Sequence, residues 1–255
     1  MRIKSFLSVF CLVLFMVSCS GKTPVKSTDT FDPEKSFVEA NKLIENKDYS
    51  DARSLLLQIK NRDLSKKFAP LAQLRIADSY VKEEEADLAA AEYRRFIEIY
   101  PEHRYAPYAQ YQIAMIYYNE IEDPERGRGS AARALAEFEK LKQDFPRNPY
   151  KDMVDIRIEK CRNIMADYEY MVGEFYMKKG SYDAAIGRLE GLLATYPDYK
   201  KSEKVLLNLG LSYKMAGNPE KAREYFHKLV EKYPNSPYAS DAKKELSSLN
   251  AGKKK

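Results

Sequence analysis

LNLGLSYKMAGNPEKAREYFHKLVEKYP, residues 207–234, holds the pattern that decides the fold. It begins with an apolar residue, a small residue and, three positions on, a tyrosine: Leu209, Gly210, Tyr213. A turn signal follows at Ala216-Gly217-Asn218-Pro219. Then come Ala222, Phe226 and Leu229, a small residue with apolar residues at i+4 and i+7, which mark one face of a helix. Tyr233-Pro234 closes the unit, because a proline cannot extend the helix behind it. The whole reads as two helices folded into a hairpin.

The same pattern recurs along the chain. Ala52, Ala89, Ala134 and Ala185 repeat the alanine anchor, with Leu56, Tyr93, Phe138 and Leu189 at i+4. Ile59, Phe96, Leu141 and Leu192 stand at i+7. Tyr100-Pro101, Phe145-Pro146 and Tyr196-Pro197 supply three further endings, while the first repeat has Asp63-Leu64 in that place. Ile76-Ala77 with Tyr80, Ile113-Ala114 with Tyr117 and Val172-Gly173 with Tyr176 are the earlier first helices, and Ala40 with Leu43 is a weaker copy. The small residue is expected to let the two helices approach, and the tyrosine to fill the gap one turn later. Each half resembles the tetratricopeptide (TPR) consensus, a helix–turn–helix unit of about 34 residues. The expected fold is therefore an all-α, TPR-like α-solenoid of about five hairpins, in which each repeat buries apolar surface that it cannot bury alone.

Spacing between the anchors is 37, 45, 51 and 37 residues. The 45 is expected to hold an enlarged loop around Glu120–Ser130, where Pro124, Gly127 and Gly129 fall. The 51 has another origin, since Pro146 to Gly173 spans 27 residues against 13 in the neighbouring repeats. The additional residues predict about four extra helical turns. One elongated helix, from near Tyr150 to Met177, should thus join two sub-bundles. The expected organisation is a signal peptide (1–18), a lipidated cysteine and tether (19–34), and an N-terminal arm of three repeats (35–146). The long helix and a C-terminal arm of two repeats follow (147–249), then a basic tail (250–255).

Arg2 and Lys4 precede an almost unbroken apolar run of twelve residues, Phe6 to Val17, interrupted only by Ser8. That is too short to cross a membrane as a helix and has the size of a signal-peptide core. The run ends in Met16-Val17-Ser18-Cys19, which resembles the bacterial lipobox, with methionine where leucine is usual. The resemblance implies a diacylglyceryl group on the Cys19 sulfur and an acyl group on its nitrogen. Ser20, not being aspartate, implies an outer-membrane destination, on the periplasmic face. Two or more acyl chains make attachment stable. Residues 20–34 show no apolar period and read as a tether. Ordinary cleavage nearby, leaving a soluble periplasmic protein, is the alternative.

The formal charge of +5 includes the signal and the terminal Lys253, Lys254 and Lys255, so the body offers little basic excess for nucleic acid. No phosphate-binding glycine loop, H-x-x-H, H-E-x-x-H or G-x-S-x-G string occurs. His103 and His227 lie on different repeats, His103 expected in solvent and His227 beside a packing face. Cys161, the one cysteine past Cys19, reads as a buried helix position, and Glu83, Glu84 and Glu85 as a solvated turn. No catalytic residue, metal site or cofactor besides the Cys19 lipid is expected.

Four strings carry a narrower resemblance: FIEIYPEHRYAPYAQYQIAMIYY (96–118), GRGSAARALAEFEKLKQDFPRNPY (127–150), MVGEFYMKKGSYDAAIGRLEGLLATYPD (171–198) and LNLGLSYKMAGNPEKA (207–222). With the order of lipobox, tether, five repeats, enlarged third loop and long joining helix, they resemble the BamD family of outer-membrane-protein assembly lipoproteins. The first repeat, lacking an aromatic–proline ending, and GRGSAARAL depart from that pattern. The resemblance implies a role in the β-barrel assembly machinery, alongside other assembly lipoproteins. The C-terminal arm would hold the POTRA domains of the barrel-forming subunit, with Arg188 as a contact. The N-terminal arm would meet unfolded outer-membrane proteins. In TPR hairpins the first helix lines the concave groove, which gives Asn41, Ile44, Leu74, Asp78, Val81, Tyr111, Met115 and Tyr118, with Tyr108 one turn earlier. Tyrosine and methionine offer large, adaptable contacts to an extended peptide. The competing reading of those tyrosines is packing between repeats. The competing function is a periplasmic TPR adaptor for Tol-Pal cell division or for peptidoglycan enzymes.

Overall fold

The computed structural model describes residues 31–251, so Cys19, the signal peptide and most of the tether lie outside the described residues. The described chain is helical from end to end. Its elements are α1 (Pro33–Glu45), α2 (Tyr49–Arg62), α3 (Ala69–Lys82), α4 (Ala86–Ile99), α5 (Ala106–Asn119) and α6 (Pro124–Asp144). They continue with α7 (Lys151–Lys178), α8 (Tyr182–Thr195), α9 (Ser202–Met215), α10 (Pro219–Lys232) and α11 (Pro237–Ala251). Consecutive helices pack on one another, as a solenoid of hairpins requires. Five hairpins are present, and α11 is an additional helix over the last of them that the repeat count did not include. Its Ala239 and Ala242 are buried.

The alanine anchors sit where helices touch. Ala52, Ala89, Ala134, Ala185 and Ala222 are all fully buried, and so are the apolar residues at i+4 and i+7 from each. The small residues of the first helices face the partner helix of their own hairpin. A Cβ added at Gly210 would lie 2.3 Å from the Phe226 ring, and one at Gly173 would lie 2.6 Å from Leu189. Three of the first-helix tyrosines instead reach the preceding repeat. Tyr80 lies under Arg53, Tyr117 accepts from Arg94 at 3.0 Å and Tyr213 donates to Glu190 at 2.7 Å. The interior of each hairpin is thus filled by the second helix, and the tyrosine seals the seam between repeats. Its hydroxyl finds a polar partner there that a hairpin core could not supply.

Each hairpin turn but the third places a residue in the left-handed region: Lys47, Glu84, Gly180 and Gly217. The following amide then bonds back to the helix, as in Asn218 N to Tyr213 O at 2.9 Å and Glu85 N to Tyr80 O at 2.9 Å. The aromatic–proline endings behave as expected, with Tyr100, Phe145, Tyr196 and Tyr233 as the C-caps of α4, α6, α8 and α10.

The third hairpin corrects the sequence reading. The stretch expected as an enlarged loop is the start of α6: Pro124 is its first residue and Gly127, Gly129 and Ser130 are helical. Asp123 is the N-cap, its carboxylate accepting from Arg126 N at 2.9 Å. Proline at the first helical position costs no hydrogen bond, and the cap satisfies an orphan amide, so Asp-Pro starts a helix that two glycines do not stop. Gly127 is buried with Ile121 beside it, where a Cβ would come within 3.0 Å.

Helix α7, at 28 residues, joins the two parts of the core. Val154, Ile158 and Cys161 from its first half belong to the cluster built with α3 to α6. Ala166 and Tyr170 from its second half belong to the next cluster, with α8 and α9. At 1.5 Å per residue it runs about 42 Å as one rod. Cys161 is fully buried, and burial pushes its thiol up to about 11, so it packs as a small apolar group. Among the described residues no helix is long and apolar enough to cross a membrane.

Candidate peptide-binding pocket and arginine pair

A pocket of about 350 Å³ opens on the N-terminal arm, lined by Phe37 of α1, Leu71, Leu74, Arg75 and Asp78 of α3, Tyr105 and Tyr108 at α5, and Tyr150 before α7. Asp78 organises its polar side. Its Oδ1 accepts from Tyr93 Oη at 2.6 Å and Tyr108 Oη at 3.0 Å, and its Oδ2 accepts from Arg75 at 3.1 Å. Burial, the Asp78 charge and its hydrogen bond hold Tyr108 up to about 12. Tyr93 is raised further, by burial first and then by Asp78. Both phenols therefore stay neutral near pH 7. The two rings meet edge to face, with centroids 6.2 Å apart. The result is a cup with apolar and aromatic walls, one orienting carboxylate and one guanidinium.

The structure divides the expected groove residues. Leu74, Asp78 and Tyr108 line the pocket. Tyr111 and Tyr118 are taken up by packing, Tyr111 against the next repeat and Tyr118 within its own hairpin. Tyr111 stacks on Tyr150 at 4.3 Å, and Tyr118 meets Phe138 edge to face at 6.0 Å. Arg157 of α7 lies 5.7 Å from the centroids of both. Met115 is half-buried against the same core, and Ile44 is buried. The Asn41 side chain donates to its own helix, to Phe37 O at 2.8 Å, and Val81 is exposed.

Tyr105 and Tyr150 escaped the sequence reading, yet a signal was present. Each first helix from the second to the fourth repeat has an aromatic N-cap: Phe68, Tyr105 and Tyr150. A buried glutamine ladder also escaped it. Gln73 donates to Glu92 O and Oε2, and Gln110 donates to Glu137 O and Oε2, at equivalent places in the second and third repeats. These bonds satisfy buried amides and fix the register of the hairpins.

One of the two histidines is also placed differently from expectation. His103 is half-buried among aromatic rings, with Phe96 edge-on at 5.5 Å, and its Nδ1 accepts from Tyr105 N at 3.3 Å. Burial and then Arg104 lower its pKa. His227 is exposed. His103 thus closes the turn ahead of α5, because accepting from the amide of the N-cap Tyr105 rewards an inward ring.

Arg188 on α8 is half-exposed and held by a carboxylate of α7. Its Nη1 lies 3.1 Å from Glu169 Oε2. Arg128 of α6 reaches Glu169 Oε1 at 3.5 Å, with its guanidinium 5.1 Å over the Tyr168 ring. Two guanidinium groups share one carboxylate, so the spot carries net positive charge across three helices.

These features can be set beside known proteins. Residues 30–225 match the YfiO family, described as "Outer membrane lipoprotein". The chain belongs to this family. Within it, the "Outer membrane protein assembly factor BamD" of Neisseria meningitidis serogroup A is 27% identical over 257 residues, covering 94% of this chain and 95% of that protein. The protein of the same name from Rickettsia prowazekii is 28% identical over 243 residues, covering 95% and 96%. That of Neisseria gonorrhoeae is 28% identical over 229 residues, covering 84% of each chain. The YfiO match takes in all of α1 to α9 and leaves α11 outside it.

Proposed function

We propose that this chain is a scaffold in outer-membrane protein assembly, anchored through a lipid on Cys19, whose two arms hold two kinds of partner. The N-terminal pocket receives an extended segment of an unfolded outer-membrane protein, an aromatic side chain entering between Leu74, Tyr105 and Tyr108. The C-terminal arm, around Arg188, holds the POTRA domains of the barrel-forming subunit. The protein binds and positions, and carries out no bond chemistry.

The pocket carries this reading for the substrate arm. Phe37, Leu71 and Leu74 give it apolar walls, and the Tyr108 hydroxyl already donates to Asp78, so an aromatic guest beside that ring costs little desolvation. Truncating a central aromatic anchor removes about 2 kcal/mol, or roughly thirtyfold in affinity. Tyr108→Ala should therefore weaken binding of a peptide copied from the C-terminal strand of an outer-membrane protein by about that factor. Tyr108→Phe, which keeps the ring, should bind within about threefold of the parent. Fluorescence anisotropy of a labelled peptide measures both, with circular dichroism confirming the fold. Equal binding by all three chains would remove the pocket from the proposal.

For the second arm, Arg188→Glu sets a carboxylate facing Glu169 and reverses the charge offered to a partner. Affinity for the isolated POTRA domains should fall at least tenfold, read by surface plasmon resonance, because rim and buried charge pairs govern such contacts. Glu169→Gln frees both arginines and should weaken binding less. Unchanged affinity in Arg188→Glu would place the contact elsewhere.

A further inference from the structure

Leu64 stands in the turn after α2 and is 97% exposed, the most exposed large apolar side chain among the described residues. Ser65, Lys66 and Lys67 beside it are exposed too. The one acid of this turn faces inward: Asp63 is buried, and its carboxylate accepts from Ser65, Phe68 and Ala69. What the turn itself shows to solvent is a leucine, a serine and two lysines, the second of them beside the exposed Glu34 of α1.

The turn is fastened beside the point where the chain enters the folded body. Phe68 meets Phe37 of α1 with ring centroids 5.8 Å apart, and Lys67 Nζ lies 4.0 Å from Glu34 in the first turn of α1. Cys19 precedes Pro33 by 14 residues, a span of at most about 50 Å. With the chain anchored at Cys19, the start of α1 is tethered to the bilayer within that span. We infer that the turn Leu64–Lys67 touches that bilayer, Leu64 entering the interface while Lys66 and Lys67 take anionic phospholipid headgroups. A protein interface needs roughly 800 Å² from each partner, and a narrow tip with one leucine offers far less. A headgroup layer asks only for a basic rim and an apolar tip. The inference rests on the anchoring reading for its geometry, so its test is built to work without the anchor.

The full mature chain carrying Cys19→Ser is sedimented with phosphatidylethanolamine–phosphatidylglycerol vesicles and with phosphatidylcholine vesicles. Binding should favour the anionic vesicles and decline with salt. Each lysine near an anionic surface contributes about fivefold, so Lys66→Gln/Lys67→Gln should lower partitioning about thirtyfold. Leu64→Ser should lower it about fivefold more. All three positions are exposed, so the fold should survive these changes. Equal sedimentation of parent and triple variant overturns the inference. A polarity-sensitive dye on Leu64→Cys in the acylated chain gives the second reading, Cys161 being buried. A blue shift in vesicles alone supports the contact. No shift, or one that appears only when the barrel subunit is added, overturns it. Failure to find a lipid on Cys19 by mass spectrometry would sink the anchor and leave the Cys19→Ser result standing.

Discussion

Phe226→Ala should lower the stability of the protein by about 3–5 kcal/mol, and it should reverse the sign of a second substitution at Gly210. The ring of Phe226 is fully buried and rests against the bare Cα of Gly210. Removing it leaves a cavity that the surrounding helices close only in part. Gly210→Ala in the parent chain pushes a methyl into that ring, a clash that costs about 1–3 kcal/mol. The gain in helix propensity, about 1 kcal/mol, offsets only part of this. In the Phe226→Ala chain the clash is gone, the propensity gain remains and the methyl fills some of the void. There Gly210→Ala should be neutral or stabilising. Urea denaturation of the four chains gives the cycle. Simple additivity would mean that the close approach of α9 and α10 is not what the glycine is for.

The second large effect is expected at Asp63. In the second, third and fifth repeats the turn after the hairpin is capped by a side chain three residues beyond the aromatic. His103 accepts from Tyr105 N, Asn148 from Tyr150 N and Ser236 from Tyr238 N. The first repeat has no aromatic there, and Asp63 takes both parts. It ends α2 as its C-cap, and its carboxylate accepts from Ser65 N and Oγ and from Phe68 N and Ala69 N, at 3.0, 2.5, 2.6 and 3.0 Å. Asp63→Ala leaves these donors without their partner and should cost about 2–3 kcal/mol. Burial alone would raise the carboxyl's pKa, but the hydrogen bonds from Ser65, Phe68 and Ala69 outweigh it and bring the pKa down. A depressed folded-state pKa means that the stabilisation is complete above the unfolded value, about 3.9. It fades as pH falls through the folded value. The stability gap between the parent and Asp63→Asn should therefore be flat from neutral pH to about pH 5 and narrow below about pH 4. A gap that widens on acidification would contradict the account.

The repeat period was fully legible in the sequence because close packing leaves little choice. An alanine at a helix crossing and bulky apolar residues one and two turns on are the only types that fit, and all five sets are buried. The length of α7 was legible for the same reason, as added residues without a breaker extend a helix. The start of α6 was not, since two glycines weigh towards a loop and outweigh the helix-start signal of Asp123-Pro124. The candidate pocket was half legible. Leu74, Asp78 and Tyr108 follow from the hairpin rule, but the rule cannot tell a tyrosine that faces a groove from one that stacks on the next repeat. Tyr111 and Tyr118 obey the same spacing as groove residues and pack inward. A phenol can serve either place, because its ring is apolar and its hydroxyl is content at a wet edge. The partner that decides, Tyr150, lies 39 residues from Tyr111 in the chain.

The most direct test of the scaffold reading is capture of the acylated full chain from detergent-solubilised outer membranes, with the bound proteins identified by mass spectrometry. A barrel-forming subunit bearing POTRA domains should be retained in near-equal amount by the parent and in sharply reduced amount by Arg188→Glu. Retention of Tol-Pal components or peptidoglycan enzymes in its place, indifferent to that substitution, would contradict the account.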